Sequence, residues 1–250
     1  MEETGALTDP LEDLRKLLVD FKGEVNIINE RIDVDLQVKY FDLSQKYRNK
    51  KLSLPEGELN VELLDDESAD EEIKKILLIQ LAHSKDVKSF RIIEKFVSQK
   101  HPVLYQWSLM ALQEAQMYIQ SDLLEQPQIF LCTGLGGRDR KLRYFIAFFN
   151  REGLDFTDWQ QKTIKNEVEL GLPVYDAELE DIQFERFLAK IILLIPIVSP
   201  IHHFMRDVIN KINIFGNFVD ENCIVTNVRI LSFDEILQVA NKKEDITDKL

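Results

Sequence analysis

Between positions 133 and 143 the chain reads Thr133-Gly134-Leu135-Gly136-Gly137-Arg138-Asp139-Arg140-Lys141-Leu142-Arg143, three glycines and four basic side chains in one run. Glycine lets backbone amides approach a ligand closely, and guanidinium and ammonium groups bind phosphate or carboxylate. Gly134, Gly136, Gly137, Arg138, Arg140, Lys141 and Arg143 are therefore the candidate ligand- or partner-binding residues. Two nucleotide-site patterns are excluded. No Lys-Ser or Lys-Thr pair follows the glycines, as a P-loop requires, and a strand pattern follows where a dinucleotide fingerprint needs a helix N-terminus. What remains is a contact for a small anion or an acidic partner, or a long hairpin turn with solvated charges.

Other chemistry-bearing residues are weaker. Asp176, Glu178 and Glu180 alternate and would share one face of a strand, where paired carboxylates could do acid–base work or hold a divalent ion. Three like charges side by side repel, so the simpler expectation is a solvent face. His202 and His203 are neighbours near a helix start, which points them apart and suits capping or the surface better than a metal. Cys132 and Cys223 lie far apart in strand-like segments and read as buried thiols, not as a disulfide or a metal site. Positions 56–72 carry acids and no base but lack the alternating ligands and central glycine of a calcium loop. No nucleophile motif such as Gly-x-Ser-x-Gly occurs. The sequence thus offers no catalytic residues, no metal ligands and no cofactor motif, and enzymatic activity has no positive support.

Composition sets the frame for these residues. With 250 residues and 45% hydrophobic content the chain can build one large domain or two ordinary ones. Acids outnumber bases 44 to 31 for a formal net charge of -13, which argues against nonspecific binding to nucleic acid or an anionic membrane. The first twenty positions lack the basic start and apolar core of a signal peptide. The longest apolar run, 187–198, is about half a membrane span and is broken by Lys190 and Pro196. A soluble, cytoplasmic protein is expected.

The first half reads as helical. Thr8 or Asp9 can cap a helix with Pro10 in its first turn and Leu11, Leu14, Leu17, Leu18 and Phe21 on one face, ended by Gly23. Val25, Ile28, Ile32, Leu36, Tyr40, Leu43 and Tyr47 keep helical spacing and predict a second helix or a broken pair. Positions 52–69, with Pro55 and Gly57, predict an acidic linker or mobile loop. Three helices follow, marked by Ile73, Ile76, Leu77 and Leu81, by Val87, Phe90, Ile93, Phe96 and Val97, and by Val103, Leu104, Trp107, Met110, Ala111 and Leu112. The stretch from Lys85-Asp86-Val87 to Phe96, then His101-Pro102-Val103-Leu104 and Trp107-Ser108-Leu109-Met110-Ala111-Leu112, resembles a helical hairpin of the HEAT-repeat type. In that family a proline begins the second helix; here Leu104 and Tyr105 stand where a basic residue usually follows the valine. The resemblance spans 70–125 and implies a helical packing or partner-binding module with no reaction attached.

After Gln126-Pro127 the period changes. Positions 128–132 and 144–149 frame the glycine-rich loop as a predicted hairpin. A helix follows from Thr157 or Asp158 through Trp159, Ile164, Val168 and Leu170, then a half-exposed strand over 174–184 and an apolar, central strand over 187–195. Pro200 opens another helix, 223–231 reads as a strand, and Ser232 caps a closing helix. The expectation is an α+β protein: a helical, HEAT-like region over 1–126, then an α+β domain over 127–250 with a mixed or antiparallel sheet of about five strands. From 144 onward the order strand, helix, strand, strand, helix, strand, helix resembles a ferredoxin-like split βαβ arrangement. Function is expected to be noncatalytic protein interaction or scaffolding with a protein partner, the alternative being a regulatory or enzymatic domain that binds a small anionic ligand at 133–143.

Overall fold

The computed structural model describes residues 16, 18, 21, 23–49, 60–126 and 128–247, with side chains up to 241. The first expected helix falls outside the described residues except for Lys16 and Leu18, which are helical, and Phe21 and Gly23, which are not. The chain is a mixture of helix and sheet, and its contacts separate two compact units, Lys22–Gly134 and a second containing Leu135–Leu250. The composition change at Gln126-Pro127 and this division after Gly134 bracket one short strand, which belongs to the first unit.

That unit holds β1 (Glu24–Ile27), α1 (Val34–Arg48), a 3-10 turn (Val61–Leu64), α2 (Glu71–His83), α3 (Val87–Ser98), α4 (Tyr105–Leu124) and β2 (Gln128–Leu131). The expectation of an all-helical region is corrected by β1, which pairs in parallel with β2 from Glu24↔Gln128 to Ile27↔Leu131. Glu-Val-Asn-Ile is too short for its spacing to separate a helix from a strand, and its partner lies a hundred positions away. Aspartates open the helices: Asp33 accepts from the Leu36 amide, Asp70 from Glu72, and Asp86 from both Lys88 and Ser89. These backbone and serine hydrogen bonds pull the Asp86 carboxyl down to about 2. The core gathers Ile32, Tyr40, Leu77, Leu78, Ile93, Phe96, Trp107 and Met110, with Phe130 and Cys132 of the β2 segment packed against it. Burial pushes the Cys132 thiol up to about 12. The described part of the acidic segment is less open than a linker, because Leu64 is buried and Asp65 accepts from Lys95 and Gln99 of the α3 end. Pro102 lies in the turn before α4, where the Tyr105 amide donates to the His101 carbonyl.

The second unit holds β3 (Gly137–Arg138), β4 (Lys141–Asn150), α5 (Asp158–Gly171), a 3-10 turn (Leu172–Tyr175), β5 (Glu178–Glu185), β6 (Leu188–Pro196), α6 (Ile201–Ile214), β7 (Val219–Thr226) and α7 (Phe233–Thr247). Its sheet runs β3-β4-β6-β5, with β7 following β3 along the edge of β4 that faces away from β6, and every pairing is antiparallel. The expected hairpin between 128–132 and 144–149 does not form: β2 pairs with β1, and β4 instead turns back on the two-residue β3. Strand alternation splits β4 between two faces. Phe145 and Ala147 join Leu188, Ile224, Leu231 and Ile236, with Phe187 and Phe233 against them. Tyr144, Ile146 and Phe148 point the other way and are equally buried. α5 and α6 bury Ile164, Val168, Phe204, Val208 and Ile212. They cross closely at Gly171, where a Cβ would come within 3.1 Å of Val208 and 3.3 Å of Phe204. α5 starts with a full capping box, Thr157 and Gln160 each binding the other's backbone N–H.

Candidate functional site

Glycines order the predicted loop, and three of its four cations pair with acids of the same unit. Gly134 closes the first unit, its carbonyl accepting from Ile32 N–H at 3.2 Å. Gly136 has φ of 69°, a left-handed conformation that favours glycine, and its carbonyl accepts from the Arg143 amide at 3.0 Å. Gly137 admits no side chain: a Cβ there would lie 2.1 Å from the Lys141 carbonyl oxygen. From Arg138 the chain reverses through Asp139 and Arg140, with φ of 50° and 63°, the pair of positive angles that a type I′ hairpin turn requires. The glycines thus serve the tight approach of β3 to β4.

The cations and the acidic triplet, separate features in the sequence, meet in space. Arg138 donates to Glu178 at 2.8 Å, and Lys141 donates to Glu178 at 2.8 Å and Asp176 at 3.0 Å. Arg143 grips Glu180 with two nitrogens, at 2.5 and 2.9 Å, and gives a third hydrogen bond to the Leu135 carbonyl at 2.7 Å. The Lys141 and Arg143 side chains are only 11% and 10% exposed. The ladder spans the sheet, because β6 lies between the strands that carry the two charges. Asp176 and Glu178 do keep solvent access, as expected of a solvent face, with side chains 80% and 41% exposed, and neighbouring cations ease the repulsion among the three acids. Hydrogen bonds from Lys141 and Arg138 hold the Glu178 carboxyl below its usual range, and Glu178 in turn raises both cations. Arg140 alone of the four basic residues makes no ion pair among the described residues, and it is exposed.

A second constellation lies in the first unit. Glu114 of α4 is 3% exposed and accepts from the Tyr40 hydroxyl at 2.7 Å and the Ser44 hydroxyl at 2.7 Å. His83 Nε2 is 3.2 Å from the same carboxylate and 2.9 Å from Ser44 Oγ, and Arg48 reaches it from the rim at 3.5 Å. Burial pulls the Glu114 carboxyl up, but hydrogen bonds from His83, Tyr40 and Ser44 outweigh it and hold the group below its ordinary value. Burial and then Glu114 push the Tyr40 hydroxyl far up. Serine, histidine and glutamate side by side invite a hydrolytic reading, but the order is wrong. In a nucleophile triad the imidazole stands between hydroxyl and carboxylate on opposite nitrogens, whereas here one nitrogen meets both and Ser44 is fully buried. None of these residues stood out in the sequence. The available signal was Glu114 at helical spacing from Met110 and Ala111, a carboxylate on an apolar stripe.

The remaining predicted chemistry stays dispersed. The His202 and His203 rings meet edge to face, 4.4 Å apart, closer than their divergence along the helix suggested. Among the described residues no group of three or more His, Cys, Asp or Glu is placed to hold a metal ion. Cys132 and Cys223 are half-buried and are not joined in a disulfide. A cleft of about 150 Å³ lined by Val61, Leu64, Asp65, Ile92, Lys95 and Phe96 is small beside the roughly 300 Å³ at which ligand pockets begin. No helix of the described residues is long and apolar enough to cross a membrane. The chain matches no protein-family model, and no curated protein sequence matches it.

Proposed function

We propose that this protein is a noncatalytic interaction module of the cytoplasm that docks a protein partner on an aromatic and aliphatic cluster of its second unit. The observation that carries the reading is the exposure of large apolar side chains where α5 begins and α6 ends. Ile214 is 79% exposed, Phe215 56% and Trp159 53%. Trp159 rests on Phe218, ring centroids 5.5 Å apart, and a Cβ on Gly216 would lie 3.5 Å from the indole edge, so the two helix ends are neighbours. Isolated exposed apolar residues are ordinary, but a cluster with a tryptophan on a rigid platform is the composition of interface hot spots. The HEAT-like reading of α3 and α4 agrees with such a role. So does a ferredoxin-like reading of the second unit, which the strand order β7-β4-β6-β5 supports. The anionic-ligand alternative is disfavoured, because a ligand at 133–143 would have to displace Glu178 and Glu180 from the cations it needs.

The test is capture from native lysate by the full chain and by a Trp159→Ala, Ile214→Ser, Phe215→Ser variant. The variant is expected to keep its circular dichroism and lose its partner at least tenfold, since hot-spot truncations cost about 2 kcal/mol or more each. Equal capture by both proteins overturns the reading.

A further inference from the structure

α1 turns a polar face inward. Its buried residues are Gln37, Tyr40 and Ser44, while Leu36, Leu43 and Tyr47 are only partly buried against the core. Gln37 is used locally, its amide donating to the Ile32 carbonyl at 2.9 Å. Tyr40 and Ser44 both end on Glu114, one on each carboxylate oxygen. Because the Ser44 hydroxyl proton is committed to Glu114, Ser44 Oγ must accept from His83, which places a proton on Nε2 and lets that nitrogen serve both groups. The groups around Glu114 are thus Tyr40, Ser44 and Arg48 from α1, His83 from α2, and Tyr118 one turn further along α4, with the Lys85 ammonium 5.3 Å over the Tyr118 ring. All of them donate or carry positive charge, and none is an acid.

Such a ring of donors accepts a carboxylate and rejects a carboxylic acid, whose own O–H would point into another donor. The apolar packing of α2, α3 and α4 runs through Leu77, Leu81, Ile93, Phe96 and Met110, side chains that do not titrate, with the His101 imidazole stacked on Phe96 at the turn before α4. We infer that α1 is an acid-releasable strap: ionised Glu114 holds it against α2 and α4, and protonation of Glu114 lets it detach while the other three helices stay packed. The direction follows from linkage. A carboxyl held below its ordinary value contributes attachment that is complete above the unfolded-state value and is lost as pH falls through the folded one.

Hydrogen exchange of the full chain tests this, with protection corrected for the intrinsic rate. Between about pH 7 and about pH 3, protection across α1 is expected to fall about tenfold or more while α3 keeps its own. Glu114→Gln, which presents an amide N–H₂ to a ring of donors, should give the low-pH pattern at about pH 7 and no further response to acid. Tyr40→Phe keeps the carboxylate but removes one donor, so the release midpoint should move to higher pH. Unchanged α1 protection across this range in the native chain, simultaneous loss of protection in α1 and α3, or an unmoved midpoint in Tyr40→Phe each overturns the inference. The phenylalanine variant carries the test if Glu114→Gln does not fold.

Discussion

Arg143 and Glu180, two charges that stand out separately in the sequence, bind each other across the sheet. The guanidinium is held at both ends, by Glu180 and by the Leu135 carbonyl, with little solvent access. Glu180→Gln removes the carboxylate that faces it and is expected to destabilise the second unit by about 1–3 kcal/mol in urea unfolding. Replacing both, Arg143→Met with Glu180→Leu, should recover most of that loss, because neither charge is then left unmatched. A double variant as unstable as the single one would contradict this view of the pair. In the sequence the basic run and the acidic triplet were each visible. Their complementarity was not, because it depends on β6 inserting between β4 and β5, and no local pattern encodes strand order. Glu114 was hidden for a related reason: a single carboxylate in a helix reads as solvent-facing until its donors on α1 and α2 are known.

Among the elements, those with a strong periodic face were legible and those defined by remote partners were not. α3 follows its predicted Val87, Phe90, Ile93, Phe96 and Val97 spacing, and Asp86 caps it. β6 was recognisable as central from its continuous apolar run. β5 starts later than its alternation suggested, because Leu172–Tyr175 forms a 3-10 turn and Asp176 adopts a φ of 51° before the strand begins. α5 is the element whose start can be tested in isolation. Thr157→Ala deletes one half of the capping box and should cost about 1 kcal/mol, read as a lowered thermal midpoint with an unchanged folded-state spectrum. Serine at the same position should restore it; equal loss with serine would assign the effect to something other than the cap.

At the scale of the whole chain, the division after Gly134 places β2 with the helices that precede it. A fragment covering 22–134 is expected to fold with a cooperative thermal transition, because it is a compact unit whose core is joined by Phe130 and Cys132. A fragment ending at 126 lacks the partner of β1 and both of those side chains, and should melt at a clearly lower temperature or without cooperativity. Equal melting of the two fragments would make β2 dispensable and move the boundary back to the composition change.

The charge ladder has a further consequence at the rim of the sheet. Among the described residues nothing pairs with the outer side of β5, so its backbone amides and carbonyls form a template on which another extended chain could grow. That strand carries Glu178, Glu180, Asp181 and Glu185, and its register slips between Leu179 and Asp181. An incoming strand meets a bent backbone studded with carboxylates, of which Arg138, Lys141 and Arg143 neutralise only some. Acids first read as the solvent face of a strand are thus placed where they oppose growth of the sheet by a further strand.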